Sequence, residues 1–393
     1  MGKSKLNKKY VLISGLCLRD NNRGTAALGY GAFSFLGQQG LLPENTPILQ
    51  IKSKGLPFRR NKSCQDKIEV VKIGGTDWNI ETKYVSTLEW RLLFHLGAVL
   101  PFGKLKKISK EVRYVAAING GDGFSDIYGE KSFLRRLGET RFAMATSLPL
   151  IILPQTLGPF KEGASRSLAF KILKYAQKVF VRDNRYVEEL GAAGINYELT
   201  NDLSYYMQPE PWDIELKREN SIGINISGLA YYNNFRTLAG QFTCYSDLIE
   251  NIVSLFQSKN KTIYLIPHSY NYEMPEQNND DLQASREFYE KLNNKRNVVL
   301  IDNNLTSPQV KYVISRMSFF VGTRMHANFA AIFTNVPLFG LAYSYKFEGA
   351  FENNNIYNRT ANIVNISKTD IKTITDNIEH AYLEDVINNV FEG

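Results

Sequence analysis

The sequence has few cysteines and no long hydrophobic run. Its three cysteines, Cys17, Cys64 and Cys244, lie far apart in 393 residues. This spacing excludes a disulfide scaffold or a zinc ribbon and favours a reducing compartment. No stretch approaches the ~20 apolar residues of a membrane-spanning helix. The apolar run after the basic start is too short for a signal peptide, so we expect a buried strand there and a cytoplasmic protein.

Several common catalytic and nucleotide-binding motifs are also missing. The sequence contains no G-x-x-x-x-G-K-[ST], H-E-x-x-H, C-x-x-C or G-x-S-x-G, and the glycines of residues 21–33 lack the dinucleotide spacing. The 47 Lys and Arg against 39 Asp and Glu give a net charge of +8, which favours anionic partners. Because no basic recognition helix or aromatic platform accompanies this charge, we expect no nucleic-acid partner. Phosphorylated small molecules and acidic lipid surfaces remain as candidate partners.

Short apolar runs alternate with amphipathic segments along the chain. Strands are predicted at residues 10–16, 46–52, 67–73, 113–119, 149–155 and 178–183, and at 221–228, 262–268, 297–303, 318–323 and 336–343. Helical patterns lie between them, among them 132–147, 165–177 and 184–194, the last with Asn184 as N-cap. Continuously apolar strands are typical of parallel sheets covered by helices on both faces. The pattern predicts an α/β protein with two doubly wound, Rossmann-like domains.

The polar, proline-containing stretch 209–220 predicts the domain boundary. We expect a first domain over residues 1–208, a linker over 209–220 and a second domain over 221–368. A C-terminal helix over 369–393 is expected to pack back across the linker on the first domain.

The loops that follow strands carry the candidate site, because ligands of such sheets bind at the carboxyl ends of the strands. Arg324 and His326 follow one strand and Lys346 follows the next. A guanidinium can bind a carboxylate or phosphate with two hydrogen bonds, and imidazole titrates near neutral pH. The alternative is that His326 caps a helix and Arg324 is a solvated charge.

Other strand ends carry further candidates. His268 ends a strand and either faces the site or caps a loop, Gln155 could reach a ligand, and Arg182 either enters the site or pairs with Asp183. The glycine-rich loop 119–129 carries Asp122 and Asp126, which could accept hydrogen bonds from hydroxyls. The loop could also be a simple turn.

These segments together resemble the polysaccharide pyruvyl transferases. The matching motifs are Asn22-Arg23-Gly24-Thr25-Ala26-Ala27, GGDGFSD, QTLGP, Val181-Arg182-Asp183, Asn201-Asp202, Arg324-Met325-His326 and Ser344-Tyr345-Lys346. Their order covers residues 10–350, nearly the whole chain. The resemblance implies a GT-B-like architecture with the active site in the cleft between the domains.

The resemblance also implies a reaction. The family transfers the enolpyruvyl unit of phosphoenolpyruvate to a sugar, forms a pyruvate ketal and releases phosphate. On this basis His326 is expected to be the acid and Arg324 a second catalytic residue. Residues that bind the pyruvyl donor are expected to be Arg182, Lys346, Tyr345 and His268. Residues that bind the sugar acceptor are expected to be Asp122, Asp126, Asn22 and Gln155.

The resemblance places the acceptor on the first domain and the pyruvyl donor on the second. Phosphoenolpyruvate is then a co-substrate, and no cofactor or metal is expected. The expected acceptor is a lipid-linked oligosaccharide of a polysaccharide pathway.

Two other functions stay open. A GT-B glycosyltransferase that uses a sugar nucleotide would share the two-domain pattern and the basic residues. A non-catalytic assembly protein of the same pathway is the second alternative, although the joint presence of arginine, histidine and lysine argues against it.

Residues 84–113 could dock the protein on an anionic membrane surface. An apolar part from Trp90 to Phe102 is followed by Lys104, Lys106, Lys107, Lys110 and Arg113, and basic residues next to an anionic leaflet favour binding. The alternative is an ordinary core helix followed by a solvated basic loop. We thus expect a protein on the inner face of the membrane, or one free in the cytoplasm.

Overall fold

The computed structural model describes residues 8–54, 64–161, 163–214, 216, 220–344, 347, 351, 354 and 356–391, without the side chains of 386–391. By contacts between Cα atoms the chain divides into two compact units. The first unit consists of Met1–Leu18 and Leu28–Met207, and the second consists of Arg19–Ala27 and Gln208–Gly393. The short segment Arg19–Ala27 therefore belongs to the second unit, although both of its flanks belong to the first.

An eight-stranded sheet forms the centre of the first unit. Its strands are β1 (Tyr10–Ser14), β2 (Ile48–Ser53), β3 (Lys67–Ile73), β4 (Thr76–Val85), β5 (Val112–Ala117), β6 (Leu150–Gln155), β7 (Lys178–Val181) and β8 (Glu198–Leu199). They are ordered β3-β4-β2-β1-β5-β6-β7-β8, and all neighbours are parallel except β3 and β4. Every residue of β1 and β6 is buried, as expected for central strands with helices on both faces.

Eight helices accompany these strands in the described part of the chain. They are α1 (Arg23–Gln38), α2 (Thr87–Leu96), α3 (Lys104–Ser109), α4 (Glu130–Arg136), α5 (Gly138–Ala145), α6 (Ala164–Tyr175), α7 (Val187–Ala192) and α8 (Leu203–Tyr206). Capping residues define both ends of α2. The Ser86 side chain accepts a hydrogen bond from the Glu89 N–H at the start, and Gly97 adopts a left-handed φ of 65° at the end.

The second unit contains a six-stranded sheet in which all pairs are parallel. Its strands are β9 (Ser221–Asn225), β10 (Thr262–Leu265), β11 (Val298–Leu300), β12 (Phe319–Gly322), β13 (Leu338–Ala342) and β14 (Thr360–Asn362). Their order is β11-β10-β9-β12-β13-β14. The order reverses direction at β9, so β10 and β12 lie on its two sides.

The described part of the second unit contains six further α-helices. They are α9 (Gly228–Tyr232), α10 (Tyr245–Ser258), α11 (Asp281–Lys291), α12 (Ser307–Ser315), α13 (Met325–Ile332) and α14 (Lys368–Phe391). Helix α12 begins with a capping box between Thr306 and Gln309 and has a proline in its first turn. The isoleucines of α14 that face inward, Ile371, Ile374 and Ile378, belong to the core of the second unit together with Tyr382.

Each predicted strand segment contains a strand, and the described chain has three further strands. The strands absent from the sequence prediction are β4, β8 and β14. Buried and more exposed residues largely alternate along β4, and β8 has only two residues. Both therefore lack the continuous apolar run that marks the central strands. Two helix predictions need correction. Residues 132–147 form two helices that meet at Leu137, and the N-cap of α7 is Tyr186 rather than Asn184.

Candidate functional site

The candidate site of the second unit lies where three adjacent strands end. Asn225 is the last residue of β9, and the loops that follow the adjacent strands β10 and β12 carry His268 and Arg324. His326 stands in the first turn of α13, directly after β12. Parallel neighbours bring these loops to one edge of the sheet, and this edge is where the sequence predicted the site.

Arg324 is held by a buried carboxylate. Its Nη2 and Nε donate to Asp281 at 2.7 and 3.1 Å, and Nη2 also donates to the Asn279 side-chain oxygen at 2.9 Å. The Asp281 side chain is fully buried, and that of Arg324 is 11% exposed. Burial alone would lower the pKa of Arg324, but the adjacent Asp281 raises it well above the ordinary value. The guanidinium is therefore permanently charged and fixed in place.

Asp281 organises the whole strand edge, and the sequence analysis did not single it out. Its carboxylate accepts backbone N–H groups of Gly228, His268 and Ser269 at 2.9, 3.2 and 2.9 Å. It thereby connects the loops after β9 and β10 with Arg324 after β12. The sequence signal is weak, because an Asp280-Asp281 pair before a helix also predicts an ordinary N-cap. Asp280 is in fact that cap, since its side chain accepts from the Gln283 N–H.

His326 packs against the segment that begins α1. A Cβ atom added to Gly24 would lie 2.6 Å from both Cγ and Nδ1 of the His326 ring. The His326 ring also contacts Phe329 edge-on, with ring centroids 5.6 Å apart. Glycine at position 24 therefore permits the close approach of the segment to the imidazole, which gives a steric reason for the glycine of the Asn22-Arg23-Gly24 motif.

His268 is almost completely buried in the same site. Burial lowers its pKa well below the ordinary value, and the nearby charges of His326, Arg23 and Arg324 lower it further. Its carbonyl accepts from the Arg23 N–H at 3.1 Å. His268 is thus a neutral imidazole at neutral pH, close enough to His326 to respond to its charge.

Arg23 belongs to the Asn22–Ala27 motif, but the sequence analysis gave it no role of its own at the site. Its guanidinium lies 4.1 Å from the centroid of the Tyr270 ring, and its Nε donates to the Leu305 carbonyl at 2.7 Å. The Ser307 hydroxyl donates back to the Arg23 carbonyl at 2.6 Å. These contacts tie the segment Arg19–Ala27 to the second unit. Arginine in a glycine-containing loop before a helix gives little sequence signal, because its contacts with Tyr270 and Leu305 join residues distant in sequence.

The first unit has its own buried ion pair. Arg182, just after β7, donates to Asp202 at 2.6 Å and to the Thr156 hydroxyl at 3.0 Å, and its Nε lies 3.6 Å from Asp183. Its side chain is 9% exposed. Burial would lower the pKa of Arg182, but the carboxylates of Asp202 and Asp183 raise it. The expected pairing of Arg182 with Asp183 is confirmed, and Asp202 is a further and closer partner.

The glycine-rich loop after β5 packs closely on this pair. A Cβ atom at Gly121 would lie 3.0 Å from Nη1 of Arg182, and Gly121 has a φ of 76° that L side chains rarely adopt. Asp122 is half-buried and accepts from the Tyr128 hydroxyl at 2.6 Å. Asp126 is buried and accepts the Lys161 N–H at 2.9 Å. Of the two carboxylates, Asp122 is the one with access to solvent.

Gln155 has a structural position. Its side chain is fully buried, its Nε2 donates to the carbonyls of Ala117 and Leu153 at 3.1 Å, and its Oε1 accepts from the Asn119 N–H at 3.0 Å. Both N–H donors and the oxygen of the amide are thus engaged within the sheet and its loop. Through the Asn119 N–H, Gln155 holds the start of the glycine-rich loop.

The structure groups the predicted site residues by unit. His268, Arg324 and His326 lie together in the second unit, and Asn22, which we expected on the acceptor side, lies with them at the β-bridge to Ser269. Asp122, Asp126 and Gln155 lie in the first unit together with Arg182, which we expected on the donor side. Tyr345 and Lys346 lie outside the described residues.

Comparison with protein families assigns the chain. The family model described as polysaccharide pyruvyl transferase matches residues 22–345. The match begins at Asn22 and runs through the glycine-rich loop and both histidines to Tyr345. The chain belongs to the polysaccharide pyruvyl transferase family. This confirms the resemblance inferred from the motifs. A comparison with curated protein sequences gives no significant match.

The solved structures similar to this polysaccharide pyruvyl transferase family member include two described as epimerases of a nucleotide sugar. One from Methanocaldococcus jannaschii, a UDP-GlcNAc 2-epimerase, has a TM-score of 0.54 and 9% identity, with 93% of this chain and 91% of that chain covered. A protein from Listeria monocytogenes described as a UDP-N-acetylglucosamine 2-epimerase has a TM-score of 0.55 and 11% identity, with coverage of 96% and 90%. At such identity the likeness concerns the fold alone. It confirms the predicted α/β class with two Rossmann-like, GT-B-like domains.

The described residues contain no group of three or more His, Cys, Asp or Glu side chains placed to hold a metal ion. Within the same residues, no helix combines the length and the apolar character needed to cross a membrane.

Proposed function

We propose that this family member transfers the enolpyruvyl unit of phosphoenolpyruvate to a sugar of a polysaccharide precursor, where it forms a pyruvate ketal. The observation that carries the proposal is the position of His326. The imidazole stands in the first turn of α13, beyond a parallel strand, beside a permanently charged arginine and a neutral histidine. Such a site combines a proton donor with fixed positive charge, and both are needed for an anionic enol phosphate.

His326 acts as the general acid in this proposal. It protonates the methylene carbon of phosphoenolpyruvate, and positive charge develops at the carbon that carries the phosphate. The first sugar hydroxyl adds to that carbon and loses its proton. The bond from the carbon to the phosphate oxygen then breaks, and the second hydroxyl closes the ketal. One of the two hydroxyl protons returns to His326, which gave its own proton to the methyl group. The other hydroxyl proton leaves with phosphate.

Arg324 serves this chemistry as a positioning residue and as a source of positive potential. Asp281 and Asn279 already occupy hydrogen-bond donors on two of its nitrogens. A side chain fixed in this way holds the start of α13 in register with the loops after β9 and β10. The start of α13 also presents the positive end of the helix dipole to an anion.

We propose that the charges of phosphoenolpyruvate are met by Lys346 and Tyr345 together with the start of α13 and His268. Lys346 supplies a compact, flexible positive charge, which suits a phosphate. Arg182 is assigned no contact with the pyruvyl donor in this proposal, because Asp202, Thr156 and Asp183 already engage its guanidinium. The reaction as written uses phosphoenolpyruvate as co-substrate and no resident cofactor.

The acceptor is proposed to be a lipid-linked oligosaccharide bound at the glycine-rich loop of the first unit. Asp122 supports this assignment, since a half-exposed carboxylate beside the Tyr128 ring offers an acceptor for sugar hydroxyls. Asp126, Gln155 and Asn22 hold the local backbone, through the Lys161 N–H, the Asn119 N–H and the Gly24 N–H respectively.

The test measures phosphate released from phosphoenolpyruvate with a panel of free and lipid-linked galactosides, glucosides and mannosides. We expect release that depends on one acceptor class and a product heavier by one pyruvyl ketal. The His326→Gln variant should lose about 10²–10⁴-fold in turnover. Arg324→Lys is preferred to Arg324→Ala, because the loss of one partner of a buried pair costs about 3–5 kcal/mol of stability.

Two results would contradict the proposal. One is wild-type turnover in a folded His326→Gln variant. The other is a complete lack of phosphate release with every acceptor, together with consumption of a sugar nucleotide, which would establish glycosyl transfer instead.

A further inference from the structure

Four large apolar side chains of the first unit are exposed close together in sequence. Leu88, Leu96, Leu100 and Phe102 are 64, 72, 38 and 94% exposed. Leu88 and Leu96 lie on α2, while Leu100 and Phe102 lie in the turn that joins α2 to α3. This turn packs beside α2, since a Cβ atom at Gly103 would contact both the Glu89 carboxylate and the Leu100 side chain. We call these four residues the apolar patch.

The core of the first unit does not need the apolar patch. Helix α2 buries Glu89 and Leu93, which are one turn apart and face inward. Its exposed positions are Leu88, Arg91, His95 and Leu96, and the first three follow each other at intervals of three and four residues and therefore share the outer face. Exposed apolar side chains that cluster beside basic ones are typical of an interaction surface.

The charge beside the apolar patch is positive. Lys106, Lys107 and Lys110 are exposed on or directly after α3. The acidic groups of the segment are engaged elsewhere, because buried Glu89 accepts the Leu105 N–H at 3.1 Å and Glu111 accepts from Lys83 at 2.9 Å.

Lys104 differs from the other lysines of this segment. It pairs with Asp66 at 2.6 Å and donates to the Tyr84 carbonyl at 3.0 Å. It therefore anchors the start of α3 to the end of β4. Its substitution would alter the folded structure as well as the surface charge, so it is not used to test docking.

We propose that the apolar patch and its three lysines dock the protein on the surface of an anionic lipid bilayer. Phe102 and the leucines would enter the boundary between headgroups and acyl chains, and the lysines would contact the acidic headgroups. Helix α2 has only ten residues, so the segment lies on the membrane and does not span it. A lipid-linked acceptor, which rests on the proposed function, would be available at the same surface.

The test is co-sedimentation of the purified full chain with vesicles of phosphatidylcholine alone or mixed with phosphatidylglycerol. We expect binding to the anionic vesicles only, with a decrease as salt rises. Lys106→Glu with Lys107→Glu should lower the partition coefficient at least about 20-fold, because each basic residue contributes about fivefold. Leu96→Gln with Phe102→Gln should lower binding at every salt concentration.

Matched controls separate the apolar patch from general surface properties. Lys171→Glu with Lys174→Glu makes the same charge change on the exposed face of α6, and Leu199→Gln with Leu383→Gln removes exposed leucines elsewhere. Both control proteins should bind as the wild type does.

Wild-type protein that stays in the supernatant at low salt would overturn the proposal, and so would control variants that lose as much binding as the patch variants. A concentration-dependent dimer abolished by Phe102→Gln, without vesicle binding, would identify the patch as a contact between copies. Because the readout is vesicle binding, these outcomes are independent of the pyruvyl-transfer assay.

Discussion

Gly24 lies directly against the ring of His326. An alanine at this site would place its Cβ 2.6 Å from Cγ and Nδ1 of the ring. Since no strained φ is involved and alanine favours helices, the fold should be retained while the imidazole moves. We predict that Gly24→Ala lowers turnover about 100-fold, the cost of a displacement near 1 Å at a catalytic group. Phosphate release and thermal unfolding of the same preparation measure both effects.

Gly37 provides the matched control on the same helix. No atom lies within 4 Å of a Cβ added there. Gly37→Ala should keep wild-type turnover and gain about 0.5–1 kcal/mol of stability. Unchanged turnover in Gly24→Ala would show that the imidazole is not held as described.

His268 should make stability depend on pH. Its folded-state pKa is lowered by burial and by the charges of His326, Arg23 and Arg324. The unfolded chain therefore binds a proton that the folded chain does not, and stability is lost as pH falls below about 6.5. For this one group the slope reaches about 1.4 kcal/mol per pH unit. Urea unfolding between about pH 5 and pH 7.5 measures the free energy of unfolding across this window.

The comparison of variants isolates this histidine from other titrating groups. His268→Gln should reduce the slope below about pH 6.5. An identical slope in the wild type and this variant would exclude His268 as its source.

Single residues also show where sequence reasoning reaches its limit. The positions of Arg324, His326 and His268 at strand ends followed from the alternation of strands and helices. Their hydrogen-bond partners could not be inferred in this way, because Asp281 lies 43 residues from Arg324 and is brought to it only by the fold. The same holds for Gln155, whose amide is used up by Asn119, Ala117 and Leu153.

At the scale of elements, α14 completes the core of the second unit. Tyr382 contacts Phe256 and Phe319 edge-on, with centroids 5.4 and 5.6 Å apart, and Ile378 is fully buried. We expected this helix to pack across the linker, and these described side chains pack within the second unit's own core.

We predict that Ile378→Ala destabilises the protein by about 2–5 kcal/mol, because it leaves a cavity among large side chains. The neighbouring exposed Asn377→Ala should change stability by less than about 0.5 kcal/mol. Urea unfolding followed by intrinsic fluorescence measures both. Equal stability of the two variants would contradict the packing of α14.

The strand β4 is the clearest element that the sequence prediction missed. Its residues pair with β3 through an antiparallel register from Lys67–Thr82 to Ile73–Thr76 and with β2 in parallel. A half-buried, alternating strand beside a two-glycine turn resembles an exposed hairpin, and only its pairing with β2 shows that it extends the main sheet.

At the scale of the whole molecule, the proposed roles of the two units can be separated kinetically. Asp122 belongs to the first unit and His268 and His326 belong to the second. We predict that Asp122→Asn raises the KM for the sugar acceptor about tenfold, the effect of one charge-assisted hydrogen bond, and leaves the KM for phosphoenolpyruvate unchanged. Initial rates of phosphate release with each substrate varied in turn provide both constants.

Lys346→Gln is the reciprocal variant, and it should raise the KM for phosphoenolpyruvate alone. If Asp122→Asn raised the constant for phosphoenolpyruvate instead, the assignment of the acceptor to the glycine-rich loop would be wrong.

The sequence by itself determined the α/β class, the succession of central strands and the family, because continuous apolar runs and short motifs are local properties of the chain. Only the tertiary structure decided that Arg19–Ala27 belongs with residues after Gln208, and that Gly24 lies against His326. It also decided that the predicted cations Arg324 and Arg182 are already paired with Asp281 and Asp202. The physical reason is that burial and charge pairing depend on side chains distant in sequence, which come together only when parallel strands align their ends.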